Sequence, residues 1–109
     1  MSIYALSSGP GLAGIAVIRI SGKETANVIN LLTGKPPPLP RVATLRKINK
    51  INTSELIDEG IILWFPGPES YTGEDMAEIQ VHGSKAVVDA LHSSISQIEN
   101  CRLAEPGEF

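Results

Sequence analysis

A strict alternation of residue types near the middle of the chain constrains its fold more than any other feature. From Met76 to His82 the sequence reads MAEIQVH, in which Ala77, Ile79 and Val81 form one set and the intervening residues form the other. A period of two is that of a half-buried β-strand, because successive side chains point to opposite faces of a sheet. The segment therefore predicts a strand with one apolar face and one face carrying a row of polar groups.

A loop with two prolines and two glycines, residues 66–75, precedes this strand. Rigid surface turns of this composition often position ligands. Tyr71 lies in the loop, where an aromatic ring can stack on a flat ligand, but the sequence leaves this role open. Glu74 and Asp75 are neighbours along an extended chain and point to opposite faces, so they predict turn formation and N–H capping rather than a paired acid and base.

The remaining segments predict an α+β fold. Strands are expected at Ile3–Leu6, Gly14–Ile20, Arg41–Ile48, Glu59–Phe65 and Arg102–Ala104, and a second main helix at Ser84–Ile98. The third and fourth strands, joined by a polar turn, predict an antiparallel hairpin. The order β-β-α-β-β-β-α-β predicts a two-layer sandwich, with a mixed β-sheet and helices on one face.

The first helix has recognisable start and stop signals. Ser21 followed by Glu24 forms a capping box, since the hydroxyl and the carboxylate can each satisfy a free N–H of the first turn, and this predicts that the helix begins there. Gly34 and the three prolines after Lys35 predict that it stops at Gly34.

Three glycines near the N-terminus raise an alternative. Gly9, Gly11 and Gly14 follow a strand with the spacing G-x-G-x-x-G. The dinucleotide fingerprint also requires a helix to open immediately afterwards, whereas a β-branched run follows here. A structural glycine turn is therefore favoured, and a small nucleotide-binding enzyme remains an alternative that secondary structure can test.

Length and charge limit the possible functions. A chain of 109 residues fits one domain, and it contains no G-x-x-x-x-G-K-[ST] run of the kind that binds GTP phosphates. The formal charge is −3, and the nine Lys and Arg residues are scattered along the sequence rather than gathered in one run. An isolated RNA-binding module usually shows a basic patch, so direct binding of tRNA is not expected.

The single cysteine, Cys101, excludes an internal disulfide and a multi-cysteine zinc site. Its position between a polar helix end and an apolar pair favours an inert, buried thiol over a reactive one. No apolar run follows a basic start as in a secretory signal, so the sequence predicts a cytoplasmic protein without a membrane segment.

Several side chains are candidates for ligand contacts. Arg19 interrupts an apolar strand, where a charge must be paired or reach solvent; it is either a functional group, half of a structural ion pair with Glu78, or an edge charge that discourages aggregation. His82 either lines a pocket or is a satisfied structural histidine, and as a lone histidine it is a poor metal ligand. His92 is expected at the surface, and Trp64 in the core or at an interface.

Three segments carry a resemblance to a known family. AVIRISG at residues 16–22, WFPGPESYTGEDMAEIQVHG at 64–83 and PGEF at 106–109 resemble, in order and spacing, the N-terminal domain of the tRNA-modifying GTPases called MnmE or TrmE. The resemblance covers essentially the whole chain, which is thus expected to be one domain, residues 1–109. The glycine turn departs from the family pattern, because GPGLAG stands where a version containing arginine is commoner. The resemblance therefore does not carry over a ligand contact from that loop.

The resemblance implies a fold similar to the folate-binding domain of aminomethyltransferases and a bound 5-formyltetrahydrofolate. Arg19 and Glu78 match the family's folate-contacting positions, with Tyr71 and His82 as further candidates. It also implies a homodimer with the folate sites near its interface. No catalytic or metal-binding residue is expected within this chain. A purely structural dimerisation module without ligand is the alternative.

The resemblance further places this chain in a larger protein that modifies the wobble uridine of certain tRNAs with a flavin-dependent partner, MnmG (GidA). GTP, Mg²⁺ and K⁺ would bind a separate GTPase domain that is absent here. A helical domain would supply a lysine to the folate site. The distal C-terminus of the larger protein would supply another contact and a catalytic cysteine. The domain alone is therefore not expected to be catalytic.

Overall fold

The computed structural model describes residues 1–7 and 14–109 and shows the predicted order of elements. The strands are β1 (Ser2–Leu6), β2 (Ile15–Ser21), β3 (Thr44–Asn49), β4 (Leu56–Phe65), β5 (Met76–His82) and β6 (Cys101–Leu103), and the helices are α1 (Thr25–Thr33) and α2 (Lys85–Ser96). The prediction of an α+β fold is confirmed, and β5 has the bounds that its alternation indicates.

The six strands form one sheet in the order β3-β4-β5-β2-β1-β6. All neighbours pair antiparallel except β1 and β6, which are parallel, so the sheet is mixed. The hairpin of β3 and β4 is confirmed. β5 and β2, which carry the candidate residues Glu78 and Arg19, are therefore central strands, while β3 and β6 are the edges.

Both helices pack on one face of this sheet. Alternate residues of β2 and β5, such as Ile18 and Ile79, share one buried cluster with Ile29 of α1 and Leu91 of α2. Fully burying an aliphatic side chain of this size contributes about 1.5–3 kcal/mol, so this layer stabilises the fold. The intervening residues of the strands point away from the helices, and the polar row of β5 lies on that open face.

The predicted start of α1 is wrong by four residues. Ser21 is still paired within the sheet, opposite Ile3 and Met76, and the helix begins only at Thr25. Glu24 makes no side-chain capping bond; instead the hydroxyl of Ser2, on β1, accepts a hydrogen bond from the Glu24 N–H at 2.7 Å. A long-range partner thus performs the role that the local capping box predicts.

The other helix boundaries follow local signals. α1 ends at Gly34, which has a left-handed φ of 72° and donates its N–H to the Asn30 carbonyl, as the glycine predicts. α2 follows Ser84, whose hydroxyl accepts from the Val87 N–H at 3.2 Å. Spanning a bilayer takes about 20 apolar residues. Neither helix of the described residues is long and apolar enough to do so.

The residues after Gly14 form β2 rather than a helix. The nucleotide-binding alternative requires a helix at this point, so it loses its structural basis. Gly9 and Gly11 of the predicted glycine turn lie outside the described residues.

Candidate functional site

Arg19 and Glu78 lie directly opposite each other on β2 and β5. The Arg19 Nε donates to the Glu78 Oε2 at 3.2 Å, and the two side chains are 41% and 21% exposed. The structural ion pair considered from the sequence therefore exists. Because the pair sits on the open face, it is also accessible to a ligand.

A pocket of about 400 Å³ surrounds this pair. Its lining consists of Arg19, Phe65, Tyr71, Met76 and Glu78. Tyr71 is 80% exposed, so its ring has a free surface at the pocket. The pocket thus combines one anion, one cation and two aromatic side chains, a composition suited to a flat polar molecule.

The loop 66–75 that carries Tyr71 is held to the sheet by hydrogen bonds. The Asp75 Oδ1 accepts the Gly67 N–H at 2.9 Å, which confirms the predicted capping role. The hydroxyls of Thr72 and Ser21 lie 2.8 Å apart and share a hydrogen bond. The first contact closes the loop on itself and the second ties Thr72, the neighbour of Tyr71, to β2.

His82 lies apart from this pocket. It is four residues beyond Glu78 on β5, a separation of about 13 Å along a strand. Its ring Nδ1 lies 2.9 Å from the Asp58 Oδ2, and its backbone N–H donates to the same oxygen at 2.8 Å. No local pattern predicts this acidic partner, because 24 positions separate the two residues in the sequence.

The same contacts set the charge of Asp58. Burial acts to raise the pKa of this carboxyl, but the hydrogen bonds from the His82 backbone and ring outweigh it and lower the pKa below its ordinary value. His82 itself is 76% exposed and lines a smaller pocket of about 150 Å³ with Ile15 and Leu45. The structure therefore brings together Arg19, Glu78 and Tyr71, but not His82.

The C-terminal segment forms a second pocket, of about 360 Å³, on the other side of Arg19. Arg102 binds both carboxylate oxygens of Glu108, one of them at 2.8 Å, and Glu108 also accepts the Glu105 N–H. The hydrogen bonds from Arg102 and Glu105 lower the pKa of Glu108 to about 2. The sequence predicts only a domain exit at Pro106, because nothing local shows that this segment folds back.

The prediction for His92 is wrong, since its ring is half-buried rather than at the surface. It packs edge-on against Tyr4 with 5.5 Å between ring centroids, and its Nε2 is buried without a hydrogen-bond partner among the described residues. Burial lowers the pKa of His92, so the neutral ring is favoured. Cys101 nearby is partly buried, and burial raises the pKa of its thiol, which agrees with the predicted inert thiol.

Comparisons with known proteins identify the family of the chain. Residues 2–109 match the family model described as GTP-binding protein TrmE N-terminus. The chain is 77% identical over 109 residues to the tRNA modification GTPase MnmE of Pelagibacter ubique, covering 100% of this chain and 25% of the relative. Identity to the MnmE of Sinorhizobium medicae is 52% over 108 residues, covering 99% and 24%.

A mitochondrial relative matches as well. The 5-taurinomethyluridine-[tRNA] synthase subunit GTPB3 of Danio rerio is 46% identical over 108 residues, covering 99% of this chain and 21% of the relative. The chain therefore spans about a quarter of the length of these curated relatives.

Proposed function

The chain belongs to the family of TrmE N-terminal domains, and we propose that it binds a reduced folate, 5-formyltetrahydrofolate, within a homodimer. Its relatives are named tRNA modification GTPases. The complete protein is accordingly proposed to act on the wobble uridine of tRNA in the cytoplasm, with MnmG as partner. GTP, Mg²⁺ and K⁺ are proposed to bind parts of the complete protein outside this chain.

The pocket around Arg19 and Glu78 carries the folate proposal. A pterin presents an amino group and a ring N–H side by side, and one carboxylate can accept both. The Glu78 Oε2 is bound by Arg19, while its Oε1 accepts no hydrogen bond from the described residues. That free acceptor lies among apolar walls, so it suits a ligand that brings its own donors.

The other side chains of the pocket suit the remaining parts of such a ligand. Tyr71 and Phe65 offer ring surfaces against which a flat heterocycle can stack. Arg19 uses Nε for Glu78, and its two terminal nitrogens have no partner among the described residues, so they can donate to acceptor atoms of the ligand. A bound reduced folate would supply the one-carbon unit; the residues of this chain bind and orient it.

Calorimetric titration with 5-formyltetrahydrofolate tests this proposal. The matched control ligand is p-aminobenzoylglutamate, which lacks the pterin ring. Saturable heat from the folate and none from the control supports recognition of the pterin. A dimer without response to either ligand supports the alternative, a purely structural module.

The open face of the sheet supports the homodimer. Ile15 and Leu45 are 57% and 60% exposed there, and Ile61 and Leu63 of β4 are partly exposed between them. The two helices cover only the opposite face. An apolar surface of this kind commonly marks an interface, and a second copy can cover it through a two-fold axis because the same patch then serves both subunits.

We expect the chain to self-associate at roughly 100 µM, as weak interfaces of limited area do. Leu45→Asp places a charge on the exposed apolar face and should shift sedimentation towards the monomer. Leu103→Asp is the matched control, since Leu103 is 54% exposed but lies on the opposite edge strand. A wild-type chain that sediments only as a monomer contradicts the proposed dimer, and so does equal dissociation by both variants.

A further inference from the structure

Positive charge is concentrated in one part of the chain, although the whole carries a formal charge of −3. Residues 25–54 contain five of the nine Lys and Arg residues and no Asp or Glu. They therefore carry +5, and the rest of the chain carries the −8 that brings the total to −3. Such segregation can create a locally positive potential on an acidic protein.

Folding brings three of these cations to one place. The C-terminal end of α1 and the edge strand β3 border a pocket of about 430 Å³. Its lining consists of Thr33, Lys35, Leu45, Arg46, Lys47, Asn49 and Glu59. We call the group Lys35, Arg46 and Lys47 the basic pocket. Its members come from two elements, which is why they look scattered in the sequence.

The cations of the basic pocket differ from their neighbours in having no ion-pair partner within 4.0 Å among the described residues. Lys50, by contrast, lies 2.6 Å from Glu55. Arg46 donates to the Pro36 carbonyl at 3.1 Å, which holds its guanidinium beside the segment that carries Lys35. Three cations thus line one pocket, and its single acid, Glu59, forms no ion pair within 4.0 Å with any of them.

Protection of the sheet edge does not account for this arrangement. Charges on an edge strand discourage pairing with other chains, and Arg46 and Lys47 on β3 suffice for that. Lys35 lies outside the strand, yet it lines the same pocket. Three cations against one acid leave the lining of this pocket with a net positive charge, which points to an anionic ligand.

We propose that the basic pocket binds the phosphate backbone of RNA, with tRNA as the partner. This reverses the expectation drawn from the low overall charge. The choice of RNA among polyanions rests on the proposed function in tRNA modification. If three cations neutralise about three phosphates, the logarithm of the association constant should fall with the logarithm of the salt concentration with a slope of about −2 to −3.

Fluorescence anisotropy with a labelled tRNA transcript tests this, using the 109-residue chain at salt concentrations from roughly 50 to 200 mM. The double variant Lys35→Gln/Lys47→Gln should lose about ten- to a hundred-fold in affinity at low salt, with a slope reduced by about two. Both lysines are exposed, so the fold should persist, which circular dichroism checks. Neutral glutamine also avoids placing an acid opposite Glu59, the cross-strand neighbour of Lys47.

Two single variants sharpen the result. Lys85→Gln is the matched control, because Lys85 is 89% exposed on the other helix, and it should change the affinity less than about twofold. Glu59→Gln removes the one acid of the pocket and should raise the affinity for tRNA. The double variant and Glu59→Gln should thus change the affinity for tRNA in opposite directions.

The proposal is overturned if the chain does not bind tRNA at low salt, or if Lys85→Gln costs as much as the double variant. Tighter binding to phosphatidylglycerol vesicles than to tRNA would also overturn it in favour of a lipid. Folate titration separates the two proposals, since the double variant leaves the Arg19 and Glu78 pocket intact. A chain that binds folate but not tRNA overturns only the RNA surface; the reverse result overturns only the folate site.

Discussion

Glu78→Gln is expected to weaken binding of 5-formyltetrahydrofolate by about ten- to a hundred-fold, while the domain stays folded. The substitution keeps the shape of the side chain but replaces one acceptor oxygen by a donor amide, so it loses a charge-assisted hydrogen bond of about 1.5–3 kcal/mol. The same change should hardly alter the melting temperature. Arg19 is 41% exposed, and an ion pair so accessible to solvent contributes about 0–1 kcal/mol.

Affinity and thermal unfolding, measured on the same variant, distinguish a ligand anchor from a structural ion pair. Glu99→Gln is the matched control, because Glu99 is an exposed carboxylate in the turn between α2 and β6 and does not line the pocket. It should change neither quantity. A folded Glu78→Gln protein with unchanged folate affinity refutes the pterin anchor, and a large fall in melting temperature assigns the pair a structural role.

Gly60→Ala is expected to lower the free energy of unfolding by about 3 kcal/mol. A Cβ at Gly60 would overlap the carbonyl oxygen of Gln80 on β5 and lie 3.1 Å from the Val81 Cγ1. A backbone oxygen cannot rotate away as the end of a flexible side chain can, so β4 and β5 must separate. For a domain of this size the cost corresponds to a fall in melting temperature of roughly 10–20 °C.

Gly14→Ala is the matched control for this prediction. No atom of residues 1–7 and 14–109 lies within 4 Å of a Cβ built at Gly14, so the same substitution should leave the melting temperature nearly unchanged. Thermal unfolding followed by circular dichroism measures both variants. A Gly60→Ala protein as stable as the wild type would show that β4 and β5 are not spaced as described. The placement of Phe65 beside Glu78 would then be wrong as well, since it depends on the same spacing.

Much of the fold follows from local patterns. The period of two predicts β5 with both its ends, because one face of that strand packs against the helices and the other does not. The apolar spacing correctly predicts α2 because one face of this helix, with Leu91 and Ile95, lies in the core. Gly34 predicts the end of α1 because only a residue tolerant of positive φ fits there.

The errors come from contacts between residues far apart in the sequence. Ser2 on β1 supplies the hydrogen bond that the local Ser21 and Glu24 pattern predicts, so α1 begins later. His82 finds Asp58 across the sheet. In each case the partner is set by strand order and register, which a local pattern does not contain.

The candidate site was predictable only in part. Arg19 is out of place in an apolar strand, and Glu78 lies on the polar face of β5, so both residues can be selected from the sequence. Their direct opposition depends on the pairing of β2 with β5, which the order of elements does not specify. The second pocket beside Arg19 depends on the return of Glu108 to Arg102, another long-range contact.

Calorimetric titration of the wild-type chain with 5-formyltetrahydrofolate is the most direct test of folate recognition by the Arg19 and Glu78 pocket. We expect saturable binding of one folate per chain with a Kd between about 1 µM and 1 mM, because two anchoring side chains are present while the lysine implied by the family resemblance is not. The absence of saturable heat at millimolar folate would contradict folate binding at this pocket. Nanomolar binding would contradict the expected affinity, since this chain would then need no contribution from the rest of the protein.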